Sequence, residues 1–442
     1  MLRLAIPIVL AELGWMFMGI VDTVMVGHQK NSAVAIGAVS LASILYYVVA
    51  IFGTGIMLGL DTLVSQSYGA GDLEDTHRSL VNGIYLSLGL TPILMGLVLL
   101  WLPVLRLFEI DAPVMNQVAP YVRALNWGTL PLLLYFVFRR YLQGVNLAKP
   151  VMFSLISANV VNFVGNWALI YGHLGMRAMG TVGSGWSTCV ARVYMAGVLM
   201  AYALYHDSRH KTGLRRASRR PHFPRLWRLL NLGFPAASQI GVEIGVFALA
   251  TALIGKLGAV PLASHQIALN TVSFTYMVPL GISSAAAVRV GHALGRGDAH
   301  GASRSGWTAM AMGGGFMACM ALVLWSVPGY IARIYTPDPF VMRTASTLLF
   351  IAAFFQLFDG LQSVATGALR GAGDTTTPMI CHLVYYWAIG LPLGWYWCFR
   401  RNLGAAGLWS GLCVALILIG VTLLYAWRRK ERSFPRGSVR PK

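Results

Sequence analysis

Carboxylates set inside long apolar runs are the residues of this sequence best placed to do chemistry. Five acidic side chains lie in such runs: Glu12 and Asp22 in the first, Asp61 near the end of the second, Glu243 in the seventh and Asp359 in the tenth. An ionised side chain in hydrocarbon costs at least about 2.5 kcal/mol, so each acid needs a partner or a task such as binding a cation. Asp359 stands within IAAFFQLFDGLQSVATGAL, with Gln356 and Gln362 three residues to either side and therefore on one helical face. Glu243 has Gln239 one turn before it, and no Lys or Arg lies within a turn of Asp22, Glu243 or Asp359. Those three are the candidate cation-binding and coupling residues. A structural reading stands beside this one, with each acid protonated and fixing a helix contact. For Asp61, in GLDTLVSQSYGAGD, the structural reading is preferred, as a residue reaching water or capping a neighbouring helix. Glu12 is left open, in a position to face a cavity mouth.

Amides recur at helical spacing in the same kind of segment. Asn162 and Asn166 in NVVNFVGNW are four apart and share a face of the fifth run, where they can coordinate a cation or join helices. Gln266 and Asn270 in ASHQIALN repeat the spacing in the eighth run, beside His265, a lone histidine read as a hydrogen-bonded packing residue. With Gln239 and Gln356 these form the candidate polar lining of a cavity.

The elements that must hold these residues follow from composition. The chain has 442 residues, 57% hydrophobic and 11% charged, whereas a soluble domain carries about a quarter charged residues. Apolar runs of about 20 residues recur throughout, each long enough to cross a hydrocarbon core of roughly 30 Å. Twelve spans are expected, near 4–27, 34–66, 79–103, 116–143, 150–171, 183–205, 229–255, 260–288, 305–327, 342–369, 378–398 and 404–427, and at these lengths only helices can span. The fold class is an all-α membrane protein.

The net charge of +19 does not indicate a nucleic-acid partner, because the basic residues are not gathered on one aromatic-interleaved face. They fall in short loops and two runs: the polar break 206–228, containing RHKTGLRRASRR, and the end of the chain from Arg428 to Lys442. An even number of spans separates the two runs, so both lie on one side, and the positive-inside rule makes that side, with both termini, cytoplasmic. The first apolar run extends to about Gly27 and contains two acids, which suits a span better than a signal peptide.

Five scattered cysteines show no CxxC pair and read as packing residues. Walker, HExxH and GxSxG sequences are missing, so the chain carries no motif for ATP hydrolysis or for those enzyme chemistries. The GxG steps before Asp72 and Asp298 follow no strand and read as glycine helix ends rather than phosphate loops.

The two halves resemble one another. AIPIVLAELG aligns with GFPAASQIGV, pairing Pro7 with Pro235; GAGD at Gly69 pairs with GRGD at Gly295, and the Pro150 region with the Pro378 region. Residues 1–205 and 229–442 are thus expected to form two six-helix lobes, joined by a basic cytoplasmic linker at 206–228. Each repeat holds an even number of spans, the arrangement of a parallel duplication about an axis along the membrane normal. Such a pair of lobes suits alternating access to a buried site.

Four stretches together resemble the NorM-type branch of the multidrug and toxic compound extrusion (MATE) family: GIVDTVMVG, LGFPAASQIGVEIGVFALATALIGKLGAVPLASHQIALN, SSAAAVRVGHALGRGD and QLFDGLQSVATGALRGAGDTTTPM. The resemblance covers essentially the whole chain. It implies two six-helix lobes in a bacterial inner membrane. It also implies export of small organic compounds, often cationic or amphiphilic, against sodium ions or protons. Glu243 and Asp359 match the family's seventh-helix glutamate and tenth-helix aspartate, the ligands if the ion is sodium. Asp22 matches the first-helix aspartate, and Asn162 and Asn166 the paired asparagines. Some relatives place a tyrosine four residues before the tenth-helix aspartate, whereas this chain has Phe355. The expected partners are small organic molecules and the lipid bilayer, the expected state a monomer, and no cofactor is expected beyond the coupling ion. The alternative cargo is a lipid-linked or polysaccharide precursor, against which deep acidic candidates weigh because they would repel anionic headgroups.

Overall fold

The computed structural model of the chain describes residues 1–29, 32–104, 112–216, 218 and 220–434. Among these the regular structure is helical throughout, and there is no strand. In chain order the helices are α1 Leu2–Gly27, α2 Ser32–Ile56, α3 Gly59–Gly69, α4 Leu73–Val104, α5 Ala112–Asn126, α6 Thr129–Gly144, α7 Ala148–Tyr171 and α8 Thr181–His210. They continue as α9 Phe223–Gly255, α10 Ala259–Gly295, α11 Ala299–Ser326, α12 Pro328–Tyr335, α13 Pro339–Gly371, α14 Thr376–His382, α15 Leu391–Trp395 and α16 Gly404–Arg432. Among the described residues ten helical rods are long and apolar enough to cross a membrane, with α2 and α3 counting as one.

The spans expected at 116–143 and 378–398 are helical but broken. The first divides into α5 and α6 at Trp127–Gly128. There the backbone passes so close to α8 that a Cβ on residue 128 would come within 2.9 Å of Arg192 and Cys189, so the glycine is what lets the two elements meet. The second is a composite of α14, a π-helical turn at Leu383–Gly390, α15 and a second π turn at Tyr396–Arg400. Pro392 removes a donor from this rod and Gly390 and Gly394 weaken it, which favours the wider ladder. Gly394 and Gly411 also let the backbones of α15 and α16 touch, since a Cβ on Gly411 would overlap the Gly394 backbone.

The chain divides into two compact units, Leu10–Ala237 and Met1–Val9 with Ser238–Lys442, called here the N-terminal and C-terminal units. The boundaries fall within α1 and α9, just past Pro7 and Pro235. The expected linker is bonded into the N-terminal unit. Asp207 accepts hydrogen bonds from the Thr212 hydroxyl and the backbone N–H groups of Leu214 and Arg215. The His222 N–H donates to Asn82 at 2.9 Å, and Arg225 pairs with Asp75. These bonds tie the described part of the segment to α4 and to the end of α8.

One turn device recurs in both units. Gly71 (φ +79°) and Gly297 (φ +74°) end α3 and α10 in the left-handed region, which costs glycine nothing. Asp72 then accepts from the Asp75 N–H at 2.8 Å, and Asp298 from the Gly301 N–H at 2.7 Å, capping α4 and α11. The glycine helix ends read from GAGD and GRGD are therefore present, each followed by an aspartate N-cap.

Candidate functional site

In the C-terminal unit α9 supplies Gln239 and Glu243, α13 supplies Gln356, Asp359 and Gln362, and the start of the composite rod supplies His382. The i, i+3 spacing brings the Gln362 Nε2 within 3.2 Å of Asp359 Oδ1, to which it donates. Gln362 Oε1 lies 3.0 Å from His382 Nε2, and that nitrogen lies 3.9 Å from Glu243 Oε2 and 3.4 Å from Gln239 Nε2. Glu243 and Asp359 are thus linked through one amide and one imidazole.

The Pro378 carbonyl, 2.8 Å from His382 Nδ1, can only accept, so Nδ1 carries a proton. His382 Nε2 then meets Gln362 Oε1 either as an imidazolium or across an amide turned end for end. The amide orientation is an assignment made from hydrogen bonding. In the turned form the carbonyl faces Asp359, which must then hold a proton itself.

Asp359 and Gln362 are buried, and the Glu243 side chain is 17% exposed. Neither acid forms an ion pair with Lys or Arg among the described residues. The Tyr386 ring stands beside the His382 ring, with centroids 5.7 Å apart. Two buried oxygens, Gln356 Oε1 and the Tyr386 hydroxyl, have no hydrogen-bond partner among the described residues. Phe355, where some relatives have tyrosine, is buried against Trp409 with ring centroids 5.9 Å apart.

Asp22 lies in the N-terminal unit. Asn166 Nδ2 donates to Asp22 Oδ1 at 2.6 Å and to Asn162 Oδ1 at 3.2 Å, and the Thr188 hydroxyl donates to Asp22 Oδ2 at 3.1 Å. Both asparagines are fully buried. Asp22 and Arg192 open onto one cavity of about 210 Å³.

The other two intramembrane acids have cationic partners. Glu12, whose role the sequence leaves open, is a buried ion-pair partner of Arg139, whose guanidinium also lies 5.6 Å from the Phe136 ring centroid. Asp61 pairs with Arg140 at 3.5 Å. Gln266 and Asn270 are exposed on α10 and make no side-chain hydrogen bond among the described residues. Of the ASHQIALN residues it is His265 that is bonded, to the Trp409 indole at 2.9 Å and the Thr251 hydroxyl at 2.8 Å.

Sequence reasoning missed His382, Arg192 and the two arginines of Phe-Arg-Arg-Tyr. The signal in the sequence is a basic side chain within an expected span, which calls for a partner as an acid does.

This architecture and this distribution of buried acids define a membrane transporter, and comparison with known proteins supplies the family. The chain matches the MatE family twice, over residues 7–168 and 235–396. The second match begins at Pro235 as the first does at Pro7, the pair read from the repeat. A probable multidrug resistance protein NorM from Mesorhizobium japonicum is 35% identical, over 98% of this chain and 94% of that protein. The multidrug resistance protein PmpM from Pseudomonas aeruginosa is 34% identical, over 99% of this chain and 92% of that protein. Among solved structures, a eukaryotic MATE transporter superposes with a TM-score of 0.86 at 22% identity, over 97% of this chain and 96% of that one. An outward-facing multidrug resistance MATE transporter gives 0.87 at 17% identity, over 99% and 96%. The chain belongs to the MATE family and has its all-α fold. Within the family it falls in the NorM-type branch.

Proposed function

We propose that the protein exports small organic compounds, cationic and amphiphilic ones among them, in exchange for a cation held by Glu243 and Asp359. One observation carries this reading. Two carboxylates from α9 and α13 are joined through Gln362 and His382, with no Lys or Arg paired to either among the described residues. Negative charge placed in a membrane without a fixed counter-ion suits a mobile one. The multidrug resistance names of the full-length relatives support the cargo class.

The donor set fits a hard cation. Two carboxylates and the unbonded oxygens of Gln356 and Tyr386 are ligands of the kind sodium takes, and the described residues hold no cluster of three His, Cys, Asp or Glu side chains suited to a softer metal. A proton would occupy the same carboxylates and the imidazole between them. Binding of the cation weakens binding of the organic compound, and by linkage the compound expels the cation, each by the same factor. The protein acts in a bacterial inner membrane with both termini cytoplasmic.

The test is efflux of a fluorescent cationic dye from proteoliposomes under separate sodium and pH gradients. Wild type is expected to respond to one gradient, which names the ion, and Asp359→Asn to neither. Export by the variant at the wild-type rate removes Asp359 from the mechanism, and a wild type indifferent to both gradients removes antiport.

A further inference from the structure

The last turn of α8 presents two histidines that cation exchange does not use. His206 and His210 are four residues apart, so their imidazoles share one face of the helix. The rings stack with centroids 4.2 Å apart and an interplanar angle of 22°. His210 is exposed and His206 half-buried. His210 Nδ1 lies 3.1 Å from the His206 carbonyl, which can only accept, so Nδ1 carries the proton and the Nε2 of the neutral ring keeps a lone pair. A donated N–H of this kind is what orients a histidine for a metal.

The neighbouring charges are engaged elsewhere. Arg209 is turned onto Tyr205, with Nη1 3.0 Å from the hydroxyl and the guanidinium carbon 5.9 Å from the ring centroid. Asp207 accepts from the Thr212 hydroxyl and from the Leu214 and Arg215 N–H groups. The helix C-terminus beside the pair carries unsatisfied carbonyls, which favour a cation. There α8 ends in Lys211 at φ +49°, a left-handed conformation that costs a residue with a side chain about 1–2 kcal/mol. A bridge between the two rings would hold the turn that this strain loosens.

From this we infer that His206 and His210 form a two-imidazole site for a borderline divalent transition metal, copper, nickel or zinc, bound through one nitrogen of each ring. Two histidines at i and i+4 on one helix face have the spacing that holds such a metal. Metal–nitrogen bonds of about 2.1 Å put the two ligating atoms roughly 3 Å apart, so the stacked rings close by only about 1 Å. No third His, Cys, Asp or Glu joins them in a cluster among the described residues, so water completes the shell. Imidazole suits these ions, whereas the oxygen-rich surroundings of Glu243 and Asp359 suit a hard one. The metal site is therefore separate in place and in chemistry from the exchange of a coupling ion.

The test is titration of Cu2+ into the full-length protein in detergent, without an affinity tag. Calorimetry gives the affinity, and electron paramagnetic resonance counts the nitrogens on the metal. One copper per chain with two imidazole nitrogens is expected, held more tightly than Ni2+ or Zn2+. His206→Ala and His210→Ala should each weaken binding at least about tenfold, or about 1.4 kcal/mol for the lost bond, and leave a single nitrogen on the metal. A wild-type spectrum with one nitrogen or none overturns the inference without any variant. So does a two-nitrogen spectrum that survives either substitution, since the metal would then lie on other residues. Gradient-driven dye export is expected to be the same in both variants as in wild type, so the metal site and antiport stand or fall separately.

Discussion

Two pairs of membrane acids have opposite surroundings. Glu12 and Asp61, in the N-terminal unit, each have an arginine, and the two arginines are consecutive residues of α6. Glu243 and Asp359, in the C-terminal unit, share amides and one imidazole. A carboxylate neutralised by a fixed guanidinium holds helices together, and a passing cation would have to compete with a charge that cannot leave. A carboxylate with no arginine or lysine fixed beside it can exchange its counter-ion. The residue type is the same in both, and its partner decides the role.

The comparison breaks first, and with the largest effect, at Arg139. Arg139→Met leaves Glu12 buried without its cation, and breaking a buried pair in this way costs about 3–5 kcal/mol. Unfolding in detergent should show that loss, and Glu12→Gln in the same chain should restore much of it. An Arg139→Met protein that unfolds like wild type yet fails to export would move Glu12 from the structural class to the functional one.

The second case inverts the first. Glu243→Gln and Asp359→Asn remove a charge that has no fixed partner, so unfolding stability should hold within about 1 kcal/mol or rise, because an unpaired buried charge is itself a cost. Gradient-driven export should fall at least about tenfold, the equivalent of about 1.4 kcal/mol of coupling. Destabilisation as large as that of Arg139→Met would place these acids among the structural ones.

How far this contrast was legible in the sequence depended on the range of the interaction. Helical periodicity is local, so it placed Gln362 beside Asp359 and Asn166 beside Asn162, and both hydrogen bonds are present. The paired prolines at 7 and 235 marked the repeat. Partners on other helices left no such trace: Arg139 meets Glu12 across 127 positions, and His382 meets Glu243 from a separate rod far along the chain. The contacts of the linker were also hidden. A basic segment at 206–228 reads as a tether until Asp207, Asn82 and Asp75 are seen to bind it.

Asp22 falls between the two classes, and the smallest expected effect decides its place. Like the C-terminal acids it is held by neutral donors, yet a cation, Arg192, faces the same cavity. Thr188→Val removes one donor at 3.1 Å while keeping the side chain's shape. A hydrogen bond to a charged group contributes about 1.5 kcal/mol at its weaker end. If Asp22 is exchangeable, that loss appears in function: its counter-ion or ligand contact changes, export shifts by roughly tenfold, and unfolding stability moves by less than about 1 kcal/mol. If Asp22 is a fixed tie between α1, α7 and α8, the same 1.5 kcal/mol appears in the unfolding curve and export per folded molecule is unchanged. The C-terminal precedent of Asp359, held by an amide without a Lys or Arg partner, predicts the first outcome, and measuring both quantities on one preparation separates them.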